Sequence, residues 1–169
     1  EHDGPSVLSL LKDEAGQSVP GKGLFPAGRL DKDTEGLLLI TNDGALAHDL
    51  LSPRKHVDKV YFAKVSGQFG ENEIARFKEG LDIGNGERSK QARLQILKAD
   101  VQESEVLITI MEGKFHQVKR MFEALGCRVV FLKRLSMGTL YLDPALLPGE
   151  YRPLTQKELA GLKGEISEI

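Results

Sequence analysis

The sequence predicts a mixed α/β (α+β) domain built on a largely antiparallel sheet with flanking helices. Three observations carry that prediction. Apolar and polar residues alternate at 59–65, 92–99 and 105–111, the period of a half-buried strand. Apolar residues recur at helical spacing at 71–81 and 118–125. The connections are short and lack the regular strand–helix–strand repeat that a parallel sheet requires.

In chain order, the apolar patch at 7–11 predicts a helical turn with Ser6 near its start. Residues 12–23, rich in Gly, Pro, Ser and Lys, read as a flexible connection. Leu24 and Phe25 begin a short extended piece interrupted by Pro26. A polar segment at 29–35 then leads through Gly36 into Leu37, Leu38, Leu39 and Ile40, predicted as one buried strand closed by the turn Asn42-Asp43-Gly44. Ala45, Leu46, Leu50 and Leu51 suit a helix of about two turns, with Asp43 as its cap and Ser52-Pro53 as its stop.

In the 59–65 strand, Val60, Phe62 and Lys64 share one side, and Tyr61, Ala63 and Val65 the other. Ile74, Phe77 and Leu81 predict a helix over 71–79, ended by Gly80. Residues 82–91, with two glycines and several charges, read as a loop, the place where one 169-residue domain could divide into two lobes. The runs at 92–99 and 105–111 read as a hairpin. Gly126 takes the C′ position of the 118–125 helix, and 129–132 is a strand. Pro144, Pro148 and Pro153 make 136–154 irregular, and the capping box Thr155-Gln156-Lys157-Glu158 starts a helix through 162.

Composition narrows the function. At 169 residues, 40% hydrophobic and 28% charged, the chain can bury a real core. It holds no apolar run of membrane-spanning length and no secretory leader. One cysteine, Cys127, cannot form an internal disulfide. His2, His48, His56 and His116 are scattered without metal-ligand spacing, so a cytoplasmic protein with no metal is expected. The chain begins at Glu1 rather than methionine and reads as a fragment.

Net charge is −2, yet 113–134 holds six cations against one anion, Glu123. Such a stretch is either a footprint for a polyanion or a solvated basic face.

Five positions could carry chemistry. Asp31, beside Arg29 and just before the 37–40 run, could be a nucleophile, a base or a ligand. It could equally be a turn cap satisfying the hydroxyl and amides around Thr34. Tyr61 is a packing residue or a phenol that stacks on a base and moves a proton. Lys119 and Arg120 lie near the start of a helix, where cations oppose the dipole and therefore call for an anion, unless one of them is simply solvated. Asp31 and Glu35 together form the two-carboxylate minimum of a glycoside hydrolase.

Three segments together resemble one family. Gly-Arg-Leu-Asp-Lys-Asp-Thr-Glu-Gly-Leu-Leu-Leu-Ile-Thr-Asn-Asp-Gly at 28–44 is similar to the catalytic motif of RNA pseudouridine synthases, in their RsuA branch. Lys59-Val60-Tyr61 falls at that family's tyrosine motif, and Glu112-Gly113-Lys114-Phe115-His116-Gln117-Val118-Lys119-Arg120-Met121 resembles its third motif. The resemblance runs from about Leu24 to Leu159. Leu51-Ser52-Pro53-Arg54 and His116-Gln117-Val118-Lys119-Arg120 are most similar to the enzymes acting on small-subunit (16S) ribosomal RNA. The large-subunit (23S) enzymes of the branch tend to differ at these two places.

The resemblance implies that Asp31 is the nucleophile, that Tyr61 stacks on the target uracil and serves as a base, and that Lys119 pairs with Asp31. It implies that Arg29 holds the extruded nucleotide or fills its place and that Val118 is an apolar wall. Leu30, Thr34, His116, Gln117 and Arg120 complete the expected substrate contacts. It further implies a monomer that needs no cofactor, with ribosomal RNA or its assembling particle as partner. An S4 RNA-binding module and a strand carrying Lys-Pro-x-Gly usually come first in the family; neither lies in this sequence, so the catalytic domain alone is expected. The rival of a different class is a catalytically silent RNA-binding domain that assists ribosome assembly.

Overall fold

The structure, a computed structural model, describes residues 7–11 and 23–167. A 3-10 turn at Val7–Leu10 matches the first predicted element. The expectations for Ser6 and for a connection at 12–22 lie outside the described residues. From there the chain forms β1 (Phe25–Pro26), β2 (Glu35–Gly36), β3 (Ile40–Thr41), α1 (Gly44–Leu51), β4 (Lys59–Ser66), α2 (Glu71–Glu79), β5 (Asp82–Gly84) and β6 (Glu87–Arg88). It continues through β7 (Arg93–Ala99), β8 (Glu103–Ile110), α3 (Gln117–Ala124), β9 (Val129–Met137), β10 (Leu140–Tyr141) and α4 (Gln156–Ser167).

The main sheet has the order β10-β9-β4-β8-β7, antiparallel throughout, with β2 added in parallel on β9. The predicted fold class therefore holds. Alternation explains the central strands, since β8 buries every second residue, Ser104, Val106, Ile108 and Ile110. In β4, Ala63 and Val65 turn into the same core, where Phe77 of α2 and Met121 and Phe122 of α3 are fully buried. A second core gathers Ala27, Leu39, Leu46, Ala47, Leu50, Val57, Met137, Leu140 and Leu162.

Local chemistry accounts for the helix ends. Asp43 caps α1, its Oδ1 accepting from the Leu46 amide at 3.0 Å. The predicted capping box starts α4: the Thr155 amide donates to Glu158 at 2.9 Å and the Glu158 amide to Thr155 Oγ1 at 3.1 Å. That helix runs past residue 162, to Ser167.

Three expectations need correction. The 37–40 run is not one buried strand: only Leu39 is buried, and the segment passes from β2 on the main sheet to β3, which pairs with β1. Gly36 makes the first step possible, because a Cβ there would collide with the backbone of Arg134, 2.5 Å from its nitrogen, and its φ is +112°. Residues 82–91 are not simply a loop either. β5 and β6 form a hairpin closed by Asn85-Gly86, both at positive φ (56° and 73°), the pattern of a two-residue type I′ turn. Leu81, Ile83 and Ala92 all belong to the first core. β10 also lies inside the stretch expected to be irregular.

Candidate active site

A cleft of about 650 Å³ opens where the two cores meet. Its floor is a face of the sheet: Lys59 and Tyr61 from β4, Ile110 from β8, and Leu132 and Arg134 from β9. Tyr61 and Arg134 are register partners on neighbouring strands, which puts them on one face. One wall is the segment from Gly28 to Lys32 with Thr34, and the other runs from Gly113 to Val118.

Asp31 sits at the rim, with its side chain 24% exposed. It opens a tight turn closed by the main chain, with the Thr34 amide donating to the Asp31 carbonyl at 2.8 Å. The Thr34 hydroxyl is buried and has no hydrogen-bond partner. The carboxylate therefore does not cap that hydroxyl. It faces the opposite wall instead, 3.4 Å from His116 Nε2 and 3.7 Å from Lys119 Nζ. Lys119 also bonds the exposed Asp33, whose carboxyl it holds below the usual carboxylate value.

The second wall is stiffened from below. Burial pushes the carboxyl of Glu112 up, but Lys114, the Lys90 amide and Gln117 together hold it below its ordinary value. The Lys90 amide donates to it at 2.6 Å and Gln117 Nε2 at 3.0 Å, while the Lys114 amide donates to Gln117 Oε1 at 3.0 Å. This network fixes the turn into α3 and leaves His116, at φ +48°, stacked on the exposed ring of Phe115.

The expected residues are thus mostly brought together. Asp31, Tyr61, Arg29, Leu30, Thr34, His116, Gln117 and Val118 line the cleft, and Lys119 reaches Asp31 across it. Gln117 is buried and engaged with Glu112, so it supports the wall. Arg120 is not brought in. Its guanidinium donates to the carbonyls of Ile83, Gly84 and Phe115 and pairs with Glu87 at 2.9 Å, tying α3 to the β5–β6 hairpin. Glu35 is exposed and is not among the cleft residues.

The basic stretch at 113–134 is not a basic face. Lys114 pairs with buried Glu112, Lys119 with Asp31 and Asp33, and Arg120 with Glu87, while Arg134 is 2% exposed. Sequence reasoning missed Asp33, Lys59, Glu112 and Arg134 as parts of the site. Lys59 was within reach, because it shares the period-2 side of Tyr61 on β4. Among the described residues, no group of three or more His, Cys, Asp or Glu could hold a metal ion, and no helix is long and apolar enough to cross a membrane.

Comparison with known proteins identifies the family. The family model for RNA pseudouridylate synthase matches residues 2–124, and the chain belongs to that family. It is similar to an uncharacterized RNA pseudouridine synthase of Bacillus subtilis, 51% identical over 154 residues, covering 91% of this chain and 63% of that protein. It is also similar to the ribosomal small subunit pseudouridine synthase A of Salmonella typhimurium, 41% identical over 161 residues, covering 95% of this chain and 66% of that one. A crystal structure of a pseudouridylate synthase superposes with a TM-score of 0.82 at 41% identity, covering 94% of this chain and 65% of that chain. The chain therefore spans a little under two thirds of the length of these relatives.

Proposed function

We propose that the chain is the catalytic domain of an enzyme that isomerises one uridine of small-subunit ribosomal RNA to pseudouridine. One observation carries the reading: the Asp31 carboxylate is held at a cleft rim between His116 and Lys119, above a floor that presents Tyr61. The choice of the small subunit is supported by the Salmonella relative and by one from Haemophilus influenzae, 46% identical over 140 residues, named for that subunit.

The target uridine must leave its stack, at a cost of roughly a few kcal/mol, to reach such a cleft. The base enters first and packs against Tyr61, with Val118, Ile110 and Leu132 as apolar walls. The sugar stays at the rim beside Asp31, which attacks C1′ or assists removal of the 2′ proton. Either route expels the uracil by breaking N1–C1′. The ring turns and C5 joins C1′, displacing Asp31 on the first route or with C2′ regaining its proton on the second; the C5 proton then leaves and N1 gains one. No atom or electron is gained overall, so the conversion needs no redox partner. The Tyr61 phenol, on the cleft floor, takes the C5 proton.

Arg29 and Lys32 on the near wall serve the RNA backbone, a role that the dispersed 113–134 cations do not fill. A single chain lines the cleft, which supports a monomer, and a ribosomal RNA substrate supports a cytoplasmic enzyme.

The test is Asp31→Ala, assayed by release of tritium from C5-labelled uridine in a small-subunit RNA transcript. Release should vanish while RNA binding and thermal stability stay near wild type. Activity retained in that variant overturns the mechanism. Wild-type protein that binds RNA yet releases nothing would favour the silent assembly domain.

A further inference from the structure

The floor of the cleft holds two buried cations that the protein leaves short of partners. Lys59 is 3% exposed, and its ammonium reaches the Val57 carbonyl at 3.4 Å, beyond the normal range for such a bond. Asp58, the acidic side chain that acts on it, is paired with Arg93 at 3.8 Å. Arg134 is 2% exposed; its Nε donates to the Leu37 carbonyl at 2.8 Å, but its Nη2 is buried without a hydrogen-bond partner. The Thr34 hydroxyl, also buried and unpartnered, lines the same cleft. Burying like charges side by side without a counter-ion is costly, and a fold retains them where a ligand supplies the missing anion.

We infer that Lys59 and Arg134 form an anion-stabilising subsite that receives the charge expelled onto the uracil when the N1–C1′ bond breaks. This rests on the pseudouridine synthase reading. The breaking bond leaves its electron pair on the base, where it spreads over N1, O2, C5 and O4. The same pair forms the new C5–C1′ bond after the ring turns, so charge appears and is consumed within one cycle without a co-reactant. Donors held on a rigid sheet, in a site from which water is largely excluded, act most strongly on such transient charge.

The alternative anion is an RNA phosphate, and the depth of the two cations argues against it. Phosphates follow the backbone, which stays with the sugar near Asp31 at the rim. The floor beside Tyr61, Ile110 and Leu132 suits a flat ring entering edge first. Burial, and then Arg134, lowers the Lys59 pKa to about 8, with Asp58 opposing. Of the groups that face it, Arg134 comes from β9 and apolar Ile110 from β8, and Asp58 is on its own strand side. The ammonium still dominates at neutral pH.

The experiment compares wild type with Lys59→Met, Lys59→Arg and Arg134→Lys. It uses single-turnover tritium release from the C5-labelled transcript, with RNA Kd measured at several salt concentrations. Lys59→Met should slow release about 10²–10³-fold with Kd changed less than about twofold. Lys59→Arg should recover part of that loss, and Arg134→Lys, which keeps the charge but removes Nη2, should slow release about tenfold. Methionine replaces an unpaired buried cation, so Tm should hold or rise and unfolding cannot account for the loss. Release near the wild-type rate in both Lys59→Met and Arg134→Lys overturns the subsite. So does weaker binding with a shallower salt dependence at unchanged rate, which would mark a phosphate site. If wild-type protein releases no tritium, the pseudouridine reading fails and the subsite with it.

Discussion

The rim and the floor of the cleft both carry cations, but they treat them in opposite ways. At the rim, Lys119 and His116 already face Asp31, and Lys119 also holds Asp33; all of these side chains are at least one-fifth exposed. On the floor, Lys59 and Arg134 are almost wholly buried, and one Arg134 nitrogen has no partner. A pair satisfied in the empty protein organises a site at little cost. An unsatisfied pair is destabilising until something negative arrives. On the proposed reading, the rim positions Asp31 and the floor stabilises transient charge.

The largest effect that separates the two is at the rim. Lys119→Ala should lower pseudouridine formation roughly 10²-fold or more, by the scale typical of a lost charged donor, and Lys119→Arg should restore much of it. Because the pair is partly exposed, the same change should cost less than about 1 kcal/mol of stability in urea unfolding. A stability loss larger than the activity loss would recast Lys119 as a structural residue.

The floor should show the reverse sign. The folded pKa of Lys59, about 8, lies below the unfolded value near 10.5. Below pH 8 both states hold the proton, and the unfavourable burial is fully present; between 8 and 10.5 the unfolded state binds more protons, so stability rises with pH. The shift corresponds to about 3 kcal/mol. Lys59→Met should therefore be more stable than wild type by up to that amount at pH 7, with the gap closing as the pH approaches 10.5. Parallel curves for the two proteins would show that Lys59 is not penalised.

Gly36→Ala tests how the near wall is anchored. A Cβ beside the Arg134 backbone, at a φ of +112°, should destabilise the fold by about 2–3 kcal/mol and lower activity by displacing both β2 and Arg134. Far from the cleft, Thr155→Ala should cost only about 1 kcal/mol through its cap and leave turnover unchanged.

How much of this was legible in the sequence follows the same division. The α4 capping box, the Asp43 cap and the β8 alternation were readable because each is decided by neighbours in the chain. The 37–40 run misled because four apolar residues in a row cannot reveal that two sheets share them. Asn85-Gly86 was a readable hairpin signal hidden among charges. In the site, Asp31, Tyr61 and Lys119 were found through motifs. Lysine and arginine are solvated by default, so Arg134 escaped until tertiary burial revealed it, and Lys59 was overlooked although its strand register with Tyr61 pointed inward. The charge count at 113–134 failed for a related reason: Lys119 and Arg120 find acidic partners in distant parts of the chain, and Arg134 is buried.

The central claim, that this cleft modifies small-subunit RNA through Asp31, is tested most directly by mapping pseudouridines in ribosomal RNA. Cells lacking the gene would be compared with cells complemented by the wild-type protein or by its Asp31→Ala variant. The account predicts that one small-subunit pseudouridine disappears on deletion, returns with wild type, and stays absent with the variant. Loss of a large-subunit site instead, or restoration by Asp31→Ala, would contradict it.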